Sequence, residues 1–221
     1  NYTAKSISRK INSIKTFFRF IKQKFGITHN PSETIRHPKY ETKAPRILNA
    51  LEYRALRDSA RDDIRTAAII ELLLQTGIRI GELALLKVKD VDGDQLHVPP
   101  YESQPGRTVP LNHAAQQAVK EWLELRKSSK PDEYLFVTKN NRPLLVRNIR
   151  TSINRYFRLA GIKDAKVNDL RHTWIATHLA NGASLVYISN LAGHKRLSTT
   201  EKYLNYIQDK LNSSSHKLRE L

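Results

Sequence analysis

Residues 62–87 read DDIRTAAIIELLLQTGIRIGELALLK, a long apolar run followed by a glycine and a second amphipathic segment. Its apolar run AAIIELLL predicts a helix that begins at Asp62 or Asp63 and ends at Gly77, because glycine is favoured just after a helix C-terminus. A second, short helix, RIGELALLK, follows at once. Arg79 is therefore predicted to lie on a tight turn between two helices.

Further helices are predicted on both sides of this stretch. Asn49, with Glu52 three residues later, forms a capping-box pattern and opens a helix that runs to about Arg61. Towards the C-terminus, helices are predicted over about His113–Lys127, Arg147–Ala160, Val167–Ala180, Ser184–Leu191 and Thr199–Tyr206.

The β content is predicted to be small. Two β-prone runs, Gln95–Pro99 and Arg107–Leu111, bracket the turn sequence SQPG and predict an antiparallel hairpin. A short strand is also predicted at Tyr134–Val137. The fold class is therefore mainly α with a small antiparallel β-sheet or hairpin.

The N-terminal segment predicts a long basic helix. Apolar residues recur at steps of three and four from Ile7 to Phe25, which indicates a helix over about Thr3–Phe25. Residues 1–43 contain ten Lys or Arg and two acidic residues, so a phosphate-contacting face is favoured over a merely solvated one. The basic residues predicted to line that face are Lys5, Arg9, Lys15, Arg19 and Lys22.

The chain is predicted to contain two structural regions and a tail. Pro31, Pro38 and Pro45 interrupt any helix after Gly26, so residues 27–47 are interpreted as a linker. A lone helix cannot bury its own apolar stripe, and residues 1–26 are therefore expected to be the remnant of a larger helical domain. The main domain is predicted over 48–208. Residues 209–221 form a tail that would not pack as a core element by itself.

Composition narrows the classes of function. The 38 Lys plus Arg exceed the 21 Asp plus Glu, which gives a formal charge of +17 and favours a polyanionic partner. Cysteine is absent, which excludes disulfides, cysteine-ligated zinc and thiol nucleophiles. No apolar stretch approaches the ~20 residues that a membrane span needs, and no signal peptide is visible. The expected location is cytoplasmic, associated with the nucleoid in a prokaryote.

The last third of the chain is dense in groups that can hold a phosphate. Each residue alone has an ordinary interpretation, since a lone His or Arg is usually a surface group and a buried Tyr usually belongs to the core. Their joint spacing is more informative, because a phosphodiester under attack needs cations, a nucleophile and an acid. The group comprises Arg171, His172, His194, Lys195, Arg196 and Tyr203.

Three segments together resemble the tyrosine recombinase and phage integrase family, including its Xer-type members. They are TGIRIGELALLKVKDV at 76–91, NDLRHTWIATHLANGA at 168–183 and LAGHKRLSTTEKYLNY at 191–206. The resemblance covers residues 48–208 and implies the catalytic fold of that family. The N-terminal helix likewise resembles the end of the family's core-binding domain, which clamps DNA.

The resemblance implies a role for each matching residue. Tyr203 would attack a DNA phosphodiester to give a 3′-phosphotyrosyl link, with no metal, ATP or other cofactor. Arg79 and Arg171 would hold the non-bridging oxygens, and His194 would donate a further hydrogen bond. Glu82 matches the family's acidic position that orients the arginines, with an ordinary surface glutamate as the alternative. Lys195 and Arg196 are further candidates for DNA contacts.

Two positions depart from the family pattern. Asn168 stands where the family has a His or Lys that acts on the proton of the nucleophile, and an amide cannot take up a proton. Glu102 stands where the family has a hairpin lysine that protonates the leaving oxygen. Weak candidates for that second role are Arg107, Lys87 and Lys89.

Three functions stay open at this point. The first is a site-specific recombinase that acts on double-stranded DNA as a homo-tetramer across two sites, with residues 209–221 docking onto a neighbouring subunit. The second is a DNA-binding protein of recombinase ancestry with little or no catalysis, which Glu102 and Asn168 favour. The third is a nicking-closing enzyme of the type IB topoisomerase class, which would relax supercoils as a monomer.

Overall fold

The structure is a computed structural model that describes residues 2–41, 44–126 and 129–213. It divides into two compact units, Asn1–Ala44 and Pro45–Leu221. The division falls inside the predicted linker, and the domain boundaries proposed from the sequence stay a prediction. Residues 214–221, which form most of the predicted tail, lie outside the described residues.

The first unit is built on helix α1, Ala4–Phe25, as the sequence predicts. The side chain of Thr3 accepts a hydrogen bond from the backbone N–H of Ser6, and Gly26 ends the helix in the left-handed conformation. Within the described residues, Ile11 is the one member of the apolar stripe that is buried, next to Ser8. Most of the stripe is left uncovered.

The second unit contains eight helices among the described residues. They are α2 (Ala50–Ala60), α3 (Ile64–Thr76), α4 (Ile80–Leu85), α5 (His113–Leu125), α6 (Val146–Leu159), α7 (Val167–Ala180), α8 (Leu185–Ala192) and α9 (Ser198–Ser213). A short 3₁₀ turn at Val88–Asp90 follows α4. All of these α-helices were expected, but α9 continues to Ser213 rather than stopping near Tyr206. Residues 209–213 of the predicted tail are therefore helical.

A three-stranded antiparallel sheet stands beside the helices, in the order β1 (Val91–Asp92), β2 (Gln95–Val98), β3 (Arg107–Pro110). The predicted hairpin is confirmed, with Leu96 opposite Val109 and both side chains buried. Strand β1 was not predicted because two residues carry no periodic pattern. The fold class is confirmed.

The strand predicted at Tyr134–Val137 is wrong. This segment makes two isolated pairings, Lys87 with Tyr134 and Val137 with Pro143, instead of joining the sheet. Its apolar residues Leu135 and Phe136 are buried, so the β-like pattern reflects burial in an irregular segment.

Helix α3 lies at the centre of the core and packs against α2, α5, α6 and α7. It is apolar on nearly every face, and Ile70, Leu72 and Leu73 are at most 2% exposed. Helix α9 packs on α7 and α8, and it buries Tyr203 and Ile207 against Trp174. This packing places Tyr203 against α7 and α8.

Gly77 connects α3 to the rest of the core. It has φ of 62°, and a Cβ at this position would lie 2.3 Å from the ring of Trp174 on α7. The residue is therefore required twice, once for its backbone conformation and once for its lack of a side chain.

None of the helices among the described residues is long and apolar enough to cross a membrane.

We expect Gly77→Ala to destabilise the protein more than Gly161→Ala. Both glycines have positive φ, so each substitution places a Cβ in the left-handed region at a cost of about 1–2 kcal/mol. No atom lies within 4 Å of a Cβ added at Gly161, whereas Gly77→Ala adds a clash with Trp174. Urea unfolding of the two variants measures the difference. Equal losses would show that Trp174 moves aside without cost.

Candidate active site

Arg79 is held at the start of α4 by the end of another helix. Its backbone lies at the N-cap position of α4, directly after the turn that Gly77 makes. Its guanidinium donates to the carbonyl oxygens of Ala192, at 3.3 Å, and Gly193, at 3.0 Å. These carbonyls lie at the C-terminus of α8, where backbone oxygens lack helical partners and the helix dipole is negative.

Arg171 is anchored in the same way and is 5% exposed. It lies on α7 and donates to the carbonyl oxygens of Gly77 and Ala192, both at 2.6 Å. Ala192 thus accepts hydrogen bonds from Arg79 and Arg171, which brings the two guanidinium groups together. Burial, assisted by the positive charge of Arg79, lowers the pKa of Arg171 to about 9.

Glu82 supplies the counter-charge inside this cluster. Its carboxylate is fully buried and accepts two hydrogen bonds from Arg107, at 2.8 and 2.9 Å. It also accepts from the backbone N–H of Arg79 at 2.7 Å and from its guanidinium at 3.1 Å. Burial alone would raise the pKa of Glu82, but the hydrogen bonds and charges of the two arginines outweigh it and lower the pKa. The surface-glutamate alternative does not apply.

Three buried or half-buried guanidinium groups therefore lie around one carboxylate. Arg79 and Arg107 hydrogen-bond to it, and Arg171 interacts with its charge. Arg107, on β3, also donates to the carbonyl oxygen of Leu191 at 2.6 Å, next to the carbonyls that bind the other two. A site with more buried cations than anions favours an anionic ligand, because the ligand offsets their mutual repulsion. A phosphate group has the charge and the acceptor oxygens to do so.

His194 lies between the end of α8 and the start of α9. Its Nδ1 is 2.7 Å from the hydroxyl oxygen of Thr200, and its ring stacks near that of Tyr203 at 6.5 Å between centroids. Burial and the charges of Arg171 and Arg79 lower the pKa of His194 to about 4. The imidazole is therefore neutral at pH 7 and can donate through one ring nitrogen.

Tyr203, on the first turns of α9, is 6% exposed and meets a chain of polar groups on α7. Its Oη lies 2.5 Å from Nδ1 of His172, and Nε2 of His172 lies 3.0 Å from the side-chain amide of Asn168. Burial raises the pKa of Tyr203, and the charge of Arg171 opposes that rise. The sequence placed His172 among the phosphate-holding groups but missed its contact with Tyr203. The i, i+4 spacing of Asn168 and His172 was the available signal.

The structure gathers most of the candidate residues into one place. Arg79, Glu82 and Arg171 form the cationic cluster, and Asn168 reaches Tyr203 through His172. His194 joins them through its stacking on Tyr203 and its electrostatic interaction with the arginines. The start of α4 and strand β3 meet α7, α8 and α9 here, although the first two lie far from the last three in sequence.

Other candidates lie apart from that cluster. Glu102 is exposed in the turn between β2 and β3, with φ of 52°, and takes no part in the hydrogen bonds of the described cluster. The ammonium groups of Lys87 and Lys89 lie 3.9 and 2.6 Å from Asp132. Arg107 does reach the cluster, where three of its five N–H donors bind Glu82 and the Leu191 carbonyl.

The basic residues proposed to contact a polyanion are largely accessible. Lys195 and Arg196 are exposed in the segment between α8 and α9. On α1, Lys15 is half-buried and the other basic candidates are exposed, namely Lys5, Arg9, Arg19 and Lys22. Beside Arg171 lies a depression of about 380 Å³ that is also lined by Arg150, Lys166 and Asn168.

Within the described residues, no group of three or more His, Asp or Glu side chains is placed to hold a metal ion.

Together, the arginines, the neutral histidine and the tyrosine hydroxyl form a site with the groups that a phosphodiester under attack requires. Residues 40–209 match the phage integrase family. The chain belongs to this family, which is that of the tyrosine recombinases.

Named relatives agree with this assignment. The chain is 34% identical over 218 residues to tyrosine recombinase XerC of Staphylococcus epidermidis, covering 93% of this chain and 72% of the relative. It is 30% identical to XerC of Pelobacter propionicus, covering 93% of this chain and 70% of the relative. The resemblance to the tyrosine recombinases noted in the sequence is confirmed.

Solved structures share the fold. The crystal structure of XerA recombinase superimposes with a TM-score of 0.72 and 27% identity, covering 99% of this chain and 78% of that one. The Tn1549 transposon integrase in complex with a circular intermediate DNA gives a TM-score of 0.78 at 19% identity, covering 96% and 80%. The second likeness concerns the fold alone.

We expect Glu82→Gln to cost about 3–5 kcal/mol of stability, because it leaves Arg79 and Arg107 without their buried counter-charge. Glu33→Gln is the matched control: Glu33 pairs with Lys22 at an exposed site, where the cost is roughly 0–1 kcal/mol. Urea unfolding at pH 7 measures both.

The difference in the free energy of unfolding between the wild type and Glu82→Gln should depend on pH. Since the pKa of Glu82 is lowered by folding, its stabilising effect is complete above its ordinary value of 4.5 and is lost as the pH falls towards the lower folded value. A difference that grew on acidification would contradict this assignment.

Proposed function

We propose that this chain is a site-specific DNA recombinase that cleaves and rejoins DNA strands through a 3′-phosphotyrosyl intermediate on Tyr203. The observation that carries the proposal is the position of Tyr203, whose hydroxyl lies beside His172 and within electrostatic reach of the buried Arg171. A tyrosine oxygen next to a cationic phosphate site is suited to attack a phosphodiester.

The cationic cluster would bind the scissile phosphate. Arg79 and Arg171 would donate to its non-bridging oxygens, where charge builds up in the pentacoordinate transition state. His194, neutral at pH 7, would add a further hydrogen bond. Glu82 would keep the guanidinium groups in position without itself meeting the DNA, since its carboxylate is fully buried.

The chemical step would conserve bond energy. The Tyr203 oxygen would form a bond to phosphorus while the bond from phosphorus to the 5′-oxygen breaks, leaving a 5′-hydroxyl end. The reverse attack by a 5′-hydroxyl would release the tyrosine and join the strand. Such an exchange of one phosphate ester for another needs no metal, ATP or other cofactor.

The proposed partner is double-stranded DNA. Two proteins that share this fold have solved structures with DNA: Tn1549 integrase in complex with a circular intermediate DNA, and a λ integrase dimer bound to a COC′ core site. In this chain, exposed basic residues on α1 and between α8 and α9 would contact the phosphate backbone. Recombination would require a homo-tetramer on two sites, with residues 209–221 docking onto a neighbour. Action in the cytoplasm stays a prediction.

One observation favours a second function, a DNA-binding protein with little or no cleavage. The family's hairpin lysine is replaced by Glu102, which is exposed, and the other cations suggested for its role are engaged with Asp132 or Glu82. General acid help is worth ~10²–10⁴ in rate, so its loss would slow cleavage while DNA binding persisted.

Covalent trapping distinguishes the two functions. The protein is incubated with a pool of nicked random-sequence duplexes, from which a short released fragment diffuses away and prevents rejoining. We expect an adduct that survives denaturation and that mass spectrometry places on Tyr203. Tyr203→Phe should abolish the adduct. Tyr206→Phe is the matched control, because Tyr206 lies on the same helix and its ring contacts that of Tyr203. Salt-sensitive binding without any adduct would favour the non-cleaving function.

Phosphate contacts by Lys195 and Arg196 predict a change in the salt dependence of DNA affinity. Replacing both by Gln should make the slope of log affinity against log salt shallower by about 1.8, because each neutralised phosphate contributes about 0.9. The control is Arg61→Gln with Lys120→Gln, which removes the same charge from residues paired with neighbouring carboxylates. Fluorescence anisotropy at several salt concentrations measures both slopes. If the double variant and its control had the same slope, the phosphate contacts would not be made by Lys195 and Arg196.

A further inference from the structure

His172 is the residue of the site to which the resemblance to the family assigns no role. Of the described residues, it is the one whose side chain hydrogen-bonds to the hydroxyl of Tyr203, at 2.5 Å between Nδ1 and Oη. Its ring is also close to that of Tyr203, with 5.8 Å between centroids. The position that the family uses to act on the proton of the nucleophile is occupied by Asn168, one helical turn earlier.

We propose that His172 is the proton acceptor for Tyr203 and that Asn168 is a positioning residue that holds the imidazole for this task. The inference rests on the proposed function and adds a catalytic residue to it. The base would have moved by one turn along α7, from the position of Asn168 to that of His172.

Asn168 is suited to orient the ring. The nitrogen of its side-chain amide lies 3.0 Å from Nε2 of His172, on the side of the ring opposite Tyr203. The oxygen and nitrogen of the amide exchange places on a half-turn, so the oxygen can accept a hydrogen bond from Nε2–H. That bond leaves the lone pair on Nδ1, directed at the tyrosine hydroxyl. The histidine is then the base, and the asparagine fixes its tautomer.

The other histidine near the nucleophile is less suited to this task. His194 stacks against the ring of Tyr203 but directs Nδ1 to the hydroxyl of Thr200, 2.7 Å away. The geometry therefore separates two roles, with His194 left to donate to the phosphate and His172 placed on the nucleophile.

The proton transfers balance. As the Tyr203 oxygen bonds to phosphorus, its proton moves to Nδ1 of His172, which becomes an imidazolium. The bond from phosphorus to the 5′-oxygen breaks, and that oxygen takes a proton from solvent water. In the rejoining step, the 5′-hydroxyl loses its proton to water and the imidazolium returns its own proton to the tyrosine.

The environment keeps His172 able to accept a proton at neutral pH. Burial lowers the pKa of His172 below its usual 6.5, and the charge of Arg171 acts in the same direction against that of Asp169. The groups that face it are Asp169 and Arg171 on its own helix, together with Tyr203 and His194. The wild-type rate should therefore fall only when the pH drops below this lowered value.

The test is single-turnover cleavage of a pool of random-sequence duplexes that carry one 5′-bridging phosphorothiolate at a fixed position. The sulfur leaves without needing a proton, so a missing acid on the leaving group no longer limits the rate, whereas a missing base on Tyr203 still does. We expect His172→Gln to slow adduct formation by ~10²-fold or more on this substrate. DNA affinity and its salt dependence should stay unchanged.

The pH profile provides a readout that a structural role would not change. The wild-type rate should level off above the pKa of His172, whereas the His172→Gln rate should keep rising about tenfold per pH unit, because hydroxide must then remove the tyrosine proton. Asn168→Leu should slow the reaction, and Asn168→Asp should restore it with the profile moved to higher pH. His178→Gln is the matched control, since His178 lies on α7 but contacts Trp174.

A variant that misfolds would lose DNA affinity, so affinity is measured on every sample. His172→Ala with added imidazole is the second variant, and recovery of the rate supports the base role. An unchanged rate and pH profile in His172→Gln would overturn the inference. The inference would also be overturned if His172→Gln cleaved ordinary DNA slowly but the phosphorothiolate substrate at the wild-type rate, because His172 would then be the acid for the leaving group. Absence of an adduct in the wild type would instead contradict the proposed function.

Discussion

The buried carboxylate of Glu82 is the interaction on which the rest of the site depends. It holds Arg107 through two hydrogen bonds and Arg79 through two more, in a region where burial and repulsion already lower the pKa of Arg171. Without a central negative charge, three guanidinium groups would not stay close together away from water. One carboxylate does not neutralise three guanidinium groups, so the cluster keeps an excess positive charge that is suited to binding a phosphate.

The scaffold adds a second constraint, because two helix ends converge on the arginines. The last carbonyls of α3 and α8 accept hydrogen bonds that no helix residue supplies, and the guanidinium groups satisfy them. Helix termination at Gly77 and Gly193, both with positive φ, is thus part of the site. The helices position the arginines through their backbones, and α9 then brings Tyr203 alongside.

Periodicity predicted the helices, because it is a local property of the sequence. The resemblance to the tyrosine recombinases indicated Arg79, Arg171, His194 and Tyr203, which lie close together in the structure. Sequence patterns missed the contact between His172 and Tyr203, since 31 residues separate the two and the contact arises from the packing of α9 on α7. They also misassigned 134–137, because an apolar irregular segment has the pattern of a buried strand. Local sequence patterns do not show which helices pack together, or whether an apolar segment has a neighbouring strand to pair with.

The anchoring of three arginines to Leu191, Ala192 and Gly193 uses peptide oxygens rather than side chains. Because the acceptors are backbone carbonyl oxygens, a substitution at Leu191 or Ala192 does not remove them, provided that the backbone keeps its conformation. Adding or removing one residue in α8 would rotate its last turn by about 100° and turn all three acceptors away together. The three acceptors therefore depend on the length of α8 more than on the side chain at Leu191. Gly193 is fixed for a different reason, because an added Cβ would lie 2.9 Å from the guanidinium of Arg107.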